Sequence, residues 1–189
     1  RSASIGLLTH GLSSAIPLTR VQLEEIAEWV ADLPLALDLL NRALYLQAIT
    51  PRELLDRVRC TEPVAEVDRY REVLRGSVPE NAVRGISEAL VISVAKLEDD
   101  ARCVAFALAE LGPAPIPAEL LANVVKQAAE PPENPEAECD FNRIRASLVS
   151  RHILTPASEN SFWMHRIVAG HLRSTGRDYE FQSVIFDFM

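Results

Sequence analysis

Apolar residues recur along this chain three or four positions apart, as on one face of an α-helix, and they rarely alternate as in a half-buried strand. The clearest stripe contains four residues: Leu23, Ile26, Ala27 and Val30. Just before it, Thr19 and Gln22 have the spacing of a capping box, so we predict a helix that begins at Arg20. The pattern as a whole predicts a mainly α fold.

Prolines and a second capping box predict the next helix boundaries. Pro34 lacks an amide proton, so it must interrupt the first helix or start another, and we expect the second helix at about 35–47. Thr50 and Glu53 form the second capping box, with a proline at the first helical position between them. A third helix is therefore predicted to run to about Arg59.

Residues 60–85 are the predicted interdomain region, because they contain several helix-breaking residues around one polar helix at about 65–74. These breakers are Pro63, Gly76, Pro79 and Gly85. We place the boundary near Gly76. The predicted domains are then a helical domain at 1–76, a winged-helix domain at 77–177 and the start of a following segment at 178–189.

The second domain shows helical stripes first and β-prone runs last. Helices are expected at about 89–97, 100–111, 118–129 and 138–151. A proline-rich acidic loop at 130–136 precedes the last of them. Two short β-prone runs, 152–155 and 162–164, flank a loop of hairpin composition and lead into a helix that begins at His165. Helix, hairpin and helix in this order are typical of the end of a winged-helix domain.

The composition is globular, with 48% hydrophobic and 24% charged residues in 189, which is enough for two small cores. Cys60, Cys103 and Cys139 form no Cys-x-x-Cys pair, so neither a disulfide framework nor a metal site is predicted. The chain has neither a long uncharged apolar run nor a leader-like start. We expect a cytoplasmic protein that does not enter the membrane.

Charge is unevenly distributed. Residues 141–177 carry six arginines against one acid, Glu159, which gives +5 and leaves −13 for the rest of a chain whose net charge is −8. A basic segment of this kind can face the phosphate of a nucleotide or a nucleic acid, or it can be a solvated face paired with acidic neighbours. If it binds DNA, the helix at 138–151 would present four polar side chains to a major groove: Asn142, Arg143, Ser147 and Arg151.

Two motifs about 130 residues apart resemble those of the STAND-type (NB-ARC-like) signalling NTPases. Residues 164–168, Met-His-Arg-Ile-Val, resemble the motif that closes the winged-helix domain of that family. Residues 23–44 resemble its Gly-Leu-Pro-Leu-Ala-Leu helix pair, with Asp32 in place of the glycine. The resemblance implies a helical domain followed by a winged helix, both from the C-terminal part of the nucleotide-binding module.

The resemblance also implies two nucleotide contacts. In the family the proline equivalent to Pro34 lies against the base, and the histidine equivalent to His165 touches the β-phosphate of ADP. A histidine where a strand meets a helix suits that role, because the helix N-terminus adds partial positive charge. Arg166 departs from the aspartate of plant-type members. Without the family, Pro34 would be a helix breaker and His165 a capping or core histidine, and we predict structural or exposed roles for the other histidines.

Neither a Gly-x-x-x-x-Gly-Lys-[Ser/Thr] loop nor an apolar strand ending in paired acids occurs in the chain. We therefore expect a regulatory fragment that contributes ADP contacts and autoinhibition but no hydrolysis, binding ADP or ATP only together with a separate P-loop domain. Its expected partners are that domain and C-terminal sensor repeats of the same protein, with oligomerisation possible on activation. The alternatives are a winged-helix DNA-binding transcriptional regulator and a purely structural helical scaffold.

Overall fold

The structure is a computed structural model that describes residues 1–12, 17–60, 82–111, 114–128 and 141–175. Within these residues the protein is mainly helical and has one small antiparallel sheet of three strands. The polar helix at 65–74, the boundary at Gly76, the acidic loop at 130–136 and the segment 178–189 lie outside the described residues. The chain divides into two compact units, unit 1 (Arg1–Lys96) and unit 2 (Leu97–Met189).

The described part of unit 1 contains five helices: α1 (Ser2–Thr9), α2 (Arg20–Trp29), α3 (Pro34–Tyr45), α4 (Pro51–Arg59) and α5 (Val83–Ala95). Their apolar stripes meet in a core of fully buried side chains that includes Leu8, Ile26, Leu37, Leu40, Leu54, Ile86 and Leu90. The stripe predicted for α2 is thus confirmed at Ile26, Ala27 and Val30, none of which is exposed to solvent.

Both predicted capping boxes are present. At the start of α2, the Thr19 amide donates to Gln22 Oε1 at 2.8 Å, and the Gln22 amide donates to Thr19 Oγ1 at 3.3 Å. At the start of α4, Thr50 and Glu53 make the same reciprocal bonds at 2.8 and 3.2 Å. These pairs satisfy amide groups that have no partner within the first helical turn, so they determine where each helix begins.

Helix α5 belongs to unit 1, because it packs along α3. It begins at Val83, earlier than the helix predicted from residue 89, and Gly85 lies inside it rather than in a linker. The compact units divide between Lys96 and Leu97. The reason is tertiary, since nearly every residue of α5 is buried against its neighbours and the glycine permits a close approach to α2.

The described part of unit 2 contains four helices and three strands: α6 (Asp99–Ala109), β1 (Ile116–Pro117), α7 (Ala118–Ala128), α8 (Phe141–Ser150), β2 (Thr155–Ser158), β3 (Ser161–Trp163) and α9 (Arg166–Thr175). The strand order is β1-β3-β2 and both pairings are antiparallel, with Ile116 opposite Phe162 and Thr155 opposite Trp163. Helix α6 packs against α7, α8 and α9, so it lies at the centre of the unit.

The hairpin differs in detail from the predicted one. Strand β2 runs through residues expected in the loop, and residues 152–154 form the turn that ends α8 instead of a strand. Pro156 is tolerated in β2 because this strand is an edge of the sheet. Trp163, expected to be a packing residue, is 42% exposed, because the alternation along β3 directs Phe162 into the core instead.

Candidate functional site

Pro34 begins α3 at its first position, so of the two predicted possibilities it starts a helix, and it is exposed. Leu33 precedes it as the N-cap in extended conformation, which is the conformation that a following proline favours. Because proline has no amide hydrogen to satisfy, the first turn of α3 presents a rigid apolar ring to solvent. Such a ring can lie flat against a planar ligand.

The turn before Pro34 has an uncommon backbone. Ala31 and Asp32 have positive φ angles of 52° and 55°, in the left-handed region that glycine adopts most readily. The Ala31 amide donates to the Glu28 carbonyl at 2.9 Å and the Asp32 amide to the Ala27 carbonyl at 2.8 Å, the two bonds of a Schellman motif. Position 32, where the resembled family has glycine, is therefore in a conformation suited to glycine and tolerated by aspartate.

His165 lies between β3 and α9, as predicted, and caps the helix. Its Nδ1 accepts a hydrogen bond from the Ile167 amide at 3.2 Å, which satisfies one of the free amides of the first turn. The residue is exposed rather than buried in the core. Of the two roles considered without the family, the capping role matches the geometry and the core role does not.

The capping bond determines which nitrogen of His165 carries the proton. An accepting Nδ1 has no hydrogen, so the neutral ring has its hydrogen on Nε2. Partial burial of the ring lowers the pKa of His165 below its usual value, and the positive charge of Arg166 lowers it further. Near neutral pH the imidazole is thus an uncharged donor, suited to one hydrogen bond with an anionic oxygen.

The structure places Pro34 in unit 1 and His165 in unit 2. Neither residue lines a cleft of about 300 Å³ in unit 1 between the start of α2 and α4. The cleft is lined by Pro17, Leu18, Gln22, Pro51, Arg52, Leu55, Asp56 and Arg59. One of its arginines, Arg59, is engaged by Glu25 through two hydrogen bonds of 3.0 Å, which leaves it less available to a ligand.

The four residues considered for DNA contact are unequally presented on α8 and the turn that follows it. Asn142 and Arg143 are exposed, whereas Ser147 and Arg151 are partly buried, and burial lowers the pKa of Arg151. Arg143 forms ion pairs with Glu98 and Asp100 of the same unit. An arginine held by two carboxylates must give up those pairs before it can bind phosphate or a base edge.

Cys103, on α6, is partly buried. Burial raises the pKa of the Cys103 thiol, which disfavours the reactive thiolate.

Among the described residues, no group of three or more His, Cys, Asp or Glu side chains is arranged to hold a metal ion. None of the described helices combines the length and apolar character needed to cross a bilayer.

No protein-family model matches this chain, and neither a curated protein nor a solved structure is significantly similar to it. The resemblance drawn from the two motifs thus rests on the residues alone.

Three features of the site regions were not predicted from the sequence. Gly85 approaches the end of α2 so closely that a Cβ there would lie 2.4 Å from the Trp29 carbonyl oxygen. Glu98 and Asp100 form ion pairs with Arg143. The run of acids at 98–100 is the feature of the sequence that could have suggested a cationic partner. Asn41, buried in α3, donates from Nδ2 to the Leu8 and His10 carbonyls, both at 2.9 Å.

Proposed function

We propose that this chain is the regulatory, C-terminal part of the nucleotide-binding module of a STAND-type signalling switch. In this role, unit 1 and unit 2 contribute contacts to ADP that is held mainly by a separate P-loop domain, and release of these contacts accompanies activation. The observation that carries the proposal is the geometry of His165, a neutral N-cap whose second nitrogen, Nε2, carries a hydrogen that can be donated at the positive end of α9.

The order of elements in unit 2 supports the winged-helix part of the proposal. A helix, a short strand, two helices, a two-stranded hairpin and a closing helix follow one another, and β1 pairs with β3 to make a three-stranded sheet. We interpret this order as that of a winged helix, with β2 and β3 as the proposed wing. His165 follows this hairpin closely in the chain, which is the position that the resembled motif gives to its histidine.

The turn at Pro34 supports the second contact. Two consecutive left-handed residues and the extended Leu33 hold the proline ring exposed at the first position of α3. Left-handed residues of this kind cost about 1 kcal/mol each and are common where helices end, so their part here is to fix the position of the ring. We infer that the base of the nucleotide lies against Pro34.

A pair of variants at position 165 separates the capping role from ADP binding. His165→Ala removes both the cap and the Nε2 donor, whereas His165→Ser keeps a good N-cap and removes only the imidazole donor. In the full-length protein we expect both variants to retain ADP about ten- to a hundredfold less tightly, the equivalent of about 1.5–3 kcal/mol for one hydrogen bond to a charged group.

Thermal unfolding provides the second measurement. The Ser variant should melt close to the wild-type temperature and the Ala variant below it, because only the latter loses the cap, which contributes about 1 kcal/mol. If the Ser variant regains wild-type ADP affinity together with stability, His165 is a cap only, and the proposal loses the observation on which it rests.

Hydrolysis is assigned to the P-loop domain and not to this chain. The purified chain should therefore release no phosphate from ATP above the buffer blank. Turnover that a substitution within the chain abolishes would contradict this assignment.

The DNA-binding alternative is disfavoured by the pairing of Arg143 with Glu98 and Asp100. It would require strong, salt-dependent affinity from a chain whose net charge is −8. A mobility-shift assay at low salt tests it directly, and tight binding of duplex DNA by the isolated chain would favour the alternative over the switch.

A further inference from the structure

The junction between the two compact units is marked by a concentration of charge. Unit 1 ends at Lys96, and unit 2 begins with Leu97-Glu98-Asp99-Asp100. We refer to residues 97–100 as the joint segment. Lys96 is the one residue between the end of α5 at Ala95 and this segment, and it is exposed.

Two arginines of unit 2 hold the joint segment. Arg102 donates from Nη2 to the Leu97 carbonyl at 2.8 Å, and its Nη1 lies 3.2 Å from Asp99 Oδ1. Arg143, from the start of α8, pairs with Glu98 through Nη1 and with Asp100 through Nη2. Every residue of the segment thus has a contact with one of the two guanidinium groups.

The rest of the local structure favours the same arrangement. The acids lie at the N-terminus of α6, where negative charge is stabilised by the helix dipole, so the segment can carry three carboxylates in succession. The Leu97 side chain is 3% exposed, which gives the segment an apolar anchor. Arg143 connects it to α8 across 43 residues of sequence.

We propose that Arg102 and Arg143 form an ionic latch that makes the joint segment a rigid part of unit 2. This inference does not depend on the proposed nucleotide role, because it uses only contacts within unit 2.

The latch is sensitive to ions. The side chains of Arg143 and Glu98 are 42% and 68% exposed, so salt screens their attraction. At about 1 M salt the screening length is about 3 Å, and the latch should open more often than in dilute buffer.

The sequence supplies a specific probe of the latch. The chain contains two lysines, Lys96 and Lys126, so a lysine-specific protease can cleave it at the joint and at one reference position in α7. Cleavage after Lys96 requires local unfolding of the segment around the Lys96-Leu97 peptide bond. Cleavage after Lys126 requires local unfolding of α7. Proteolysis under native conditions follows the population of the open form when opening is fast.

The experiment compares the wild-type chain with Arg102→Met, Arg143→Met and Arg145→Met. Arg145 is the matched control, since it is an exposed arginine of α8 that stacks over Phe141 at 5.7 Å. We expect cleavage after Lys96 to become about fivefold faster in the first two variants, with cleavage after Lys126 unchanged. The control should match wild type, and 1 M NaCl should speed Lys96 cleavage in wild type but not in Arg143→Met.

Carboxylate variants complete the test. Glu98→Gln with Asp100→Asn should speed Lys96 cleavage at least as much as Arg143→Met, because it breaks the same pairs and also removes negative charge from the N-terminus of α6. Adding Arg143→Met to these two changes should have no further effect, because the pairs are already broken. Unchanged cleavage after Lys96 in Arg143→Met would overturn the latch. So would additive effects, an equal change in Arg145→Met, or a parallel rise at Lys126, which would mean that the variants destabilise unit 2 as a whole.

Discussion

The α-carbon of Gly85, in the first turn of α5, lies directly against the backbone carbonyl of Trp29 at the end of α2. A Cβ at position 85 would be 2.4 Å from the Trp29 oxygen, a distance that real Cβ atoms do not adopt, and 3.0 Å from Val30 Cγ1, which is also tight. The close crossing thus depends on the absence of a side chain, and it attaches α5 to unit 1.

Gly85→Ala should therefore destabilise unit 1, although alanine is the better helix former. Relief of the clash requires α2 and α5 to separate, and overpacking of this kind costs about 1–3 kcal/mol. Gly6 in α1 is the control, because nothing lies within 4 Å of its Cβ position, and Gly6→Ala should stabilise by up to about 1 kcal/mol. Urea unfolding of both variants measures the contrast, and equal effects would mean that the crossing is not tight.

Replacing Gln47 by glycine should stabilise the protein. Gln47 follows α3 with a φ of 53°, and the Gln47 and Ala48 amides donate to the Leu44 and Ala43 carbonyls at 3.1 and 2.8 Å, so α3 ends in a Schellman motif without glycine. Relief of the left-handed strain should raise the free energy of unfolding by about 0.5–1 kcal/mol. The same change at Lys126, within α7, should lower it by about 1 kcal/mol, and a destabilising Gln47→Gly would contradict this account.

His171 should make unit 2 sensitive to acid. The residue is 2% exposed, and burial lowers its pKa to about 4. A lowered pKa means that its stabilising contribution is complete above the unfolded pKa of about 6.5 and is lost as the pH falls towards 4. At pH 4.5 the loss is about 2–3 kcal/mol. His171→Leu should remove that part of the pH dependence, which urea unfolding at pH 7 and pH 4.5 will show, and an unchanged pH dependence would refute the assignment.

Removing one partner of the ion pair between Arg57 and Glu88 should destabilise the protein more than removing both. The Glu88 side chain is 10% exposed and that of Arg57 45% exposed, with 2.5 Å between the paired atoms. Arg57→Met leaves a buried carboxylate without its partner and should cost about 2–3 kcal/mol, whereas Arg57→Met with Glu88→Met should cost clearly less. Chemical unfolding of the single and double variants measures the coupling, and simple additivity would show that the pair is not coupled.

Local signals made several boundaries predictable from the sequence. The capping boxes at Thr19 and Thr50, and the proline that begins α3, act within four residues, so they operate in the same way in any tertiary context. His165 at the start of α9 was predictable for the same reason, since a β-prone run gives way to a helical stripe there. Its role at the nucleotide stays a prediction.

The sequence by itself determined the mainly helical class, the starts of α2, α3 and α4 and the approximate place of the hairpin before α9, because each depends on neighbours a few residues away. Only the tertiary structure decided that α5 belongs to unit 1, that Trp163 is exposed while Phe162 is buried, and that Arg143 is held by Glu98 and Asp100. Gly85 shows the physical reason. From its neighbours in sequence, Gly85 would be interpreted as a helix breaker. Its effect here comes from its contact with the Trp29 carbonyl, 56 residues earlier in the chain, and a local sequence pattern does not include that contact.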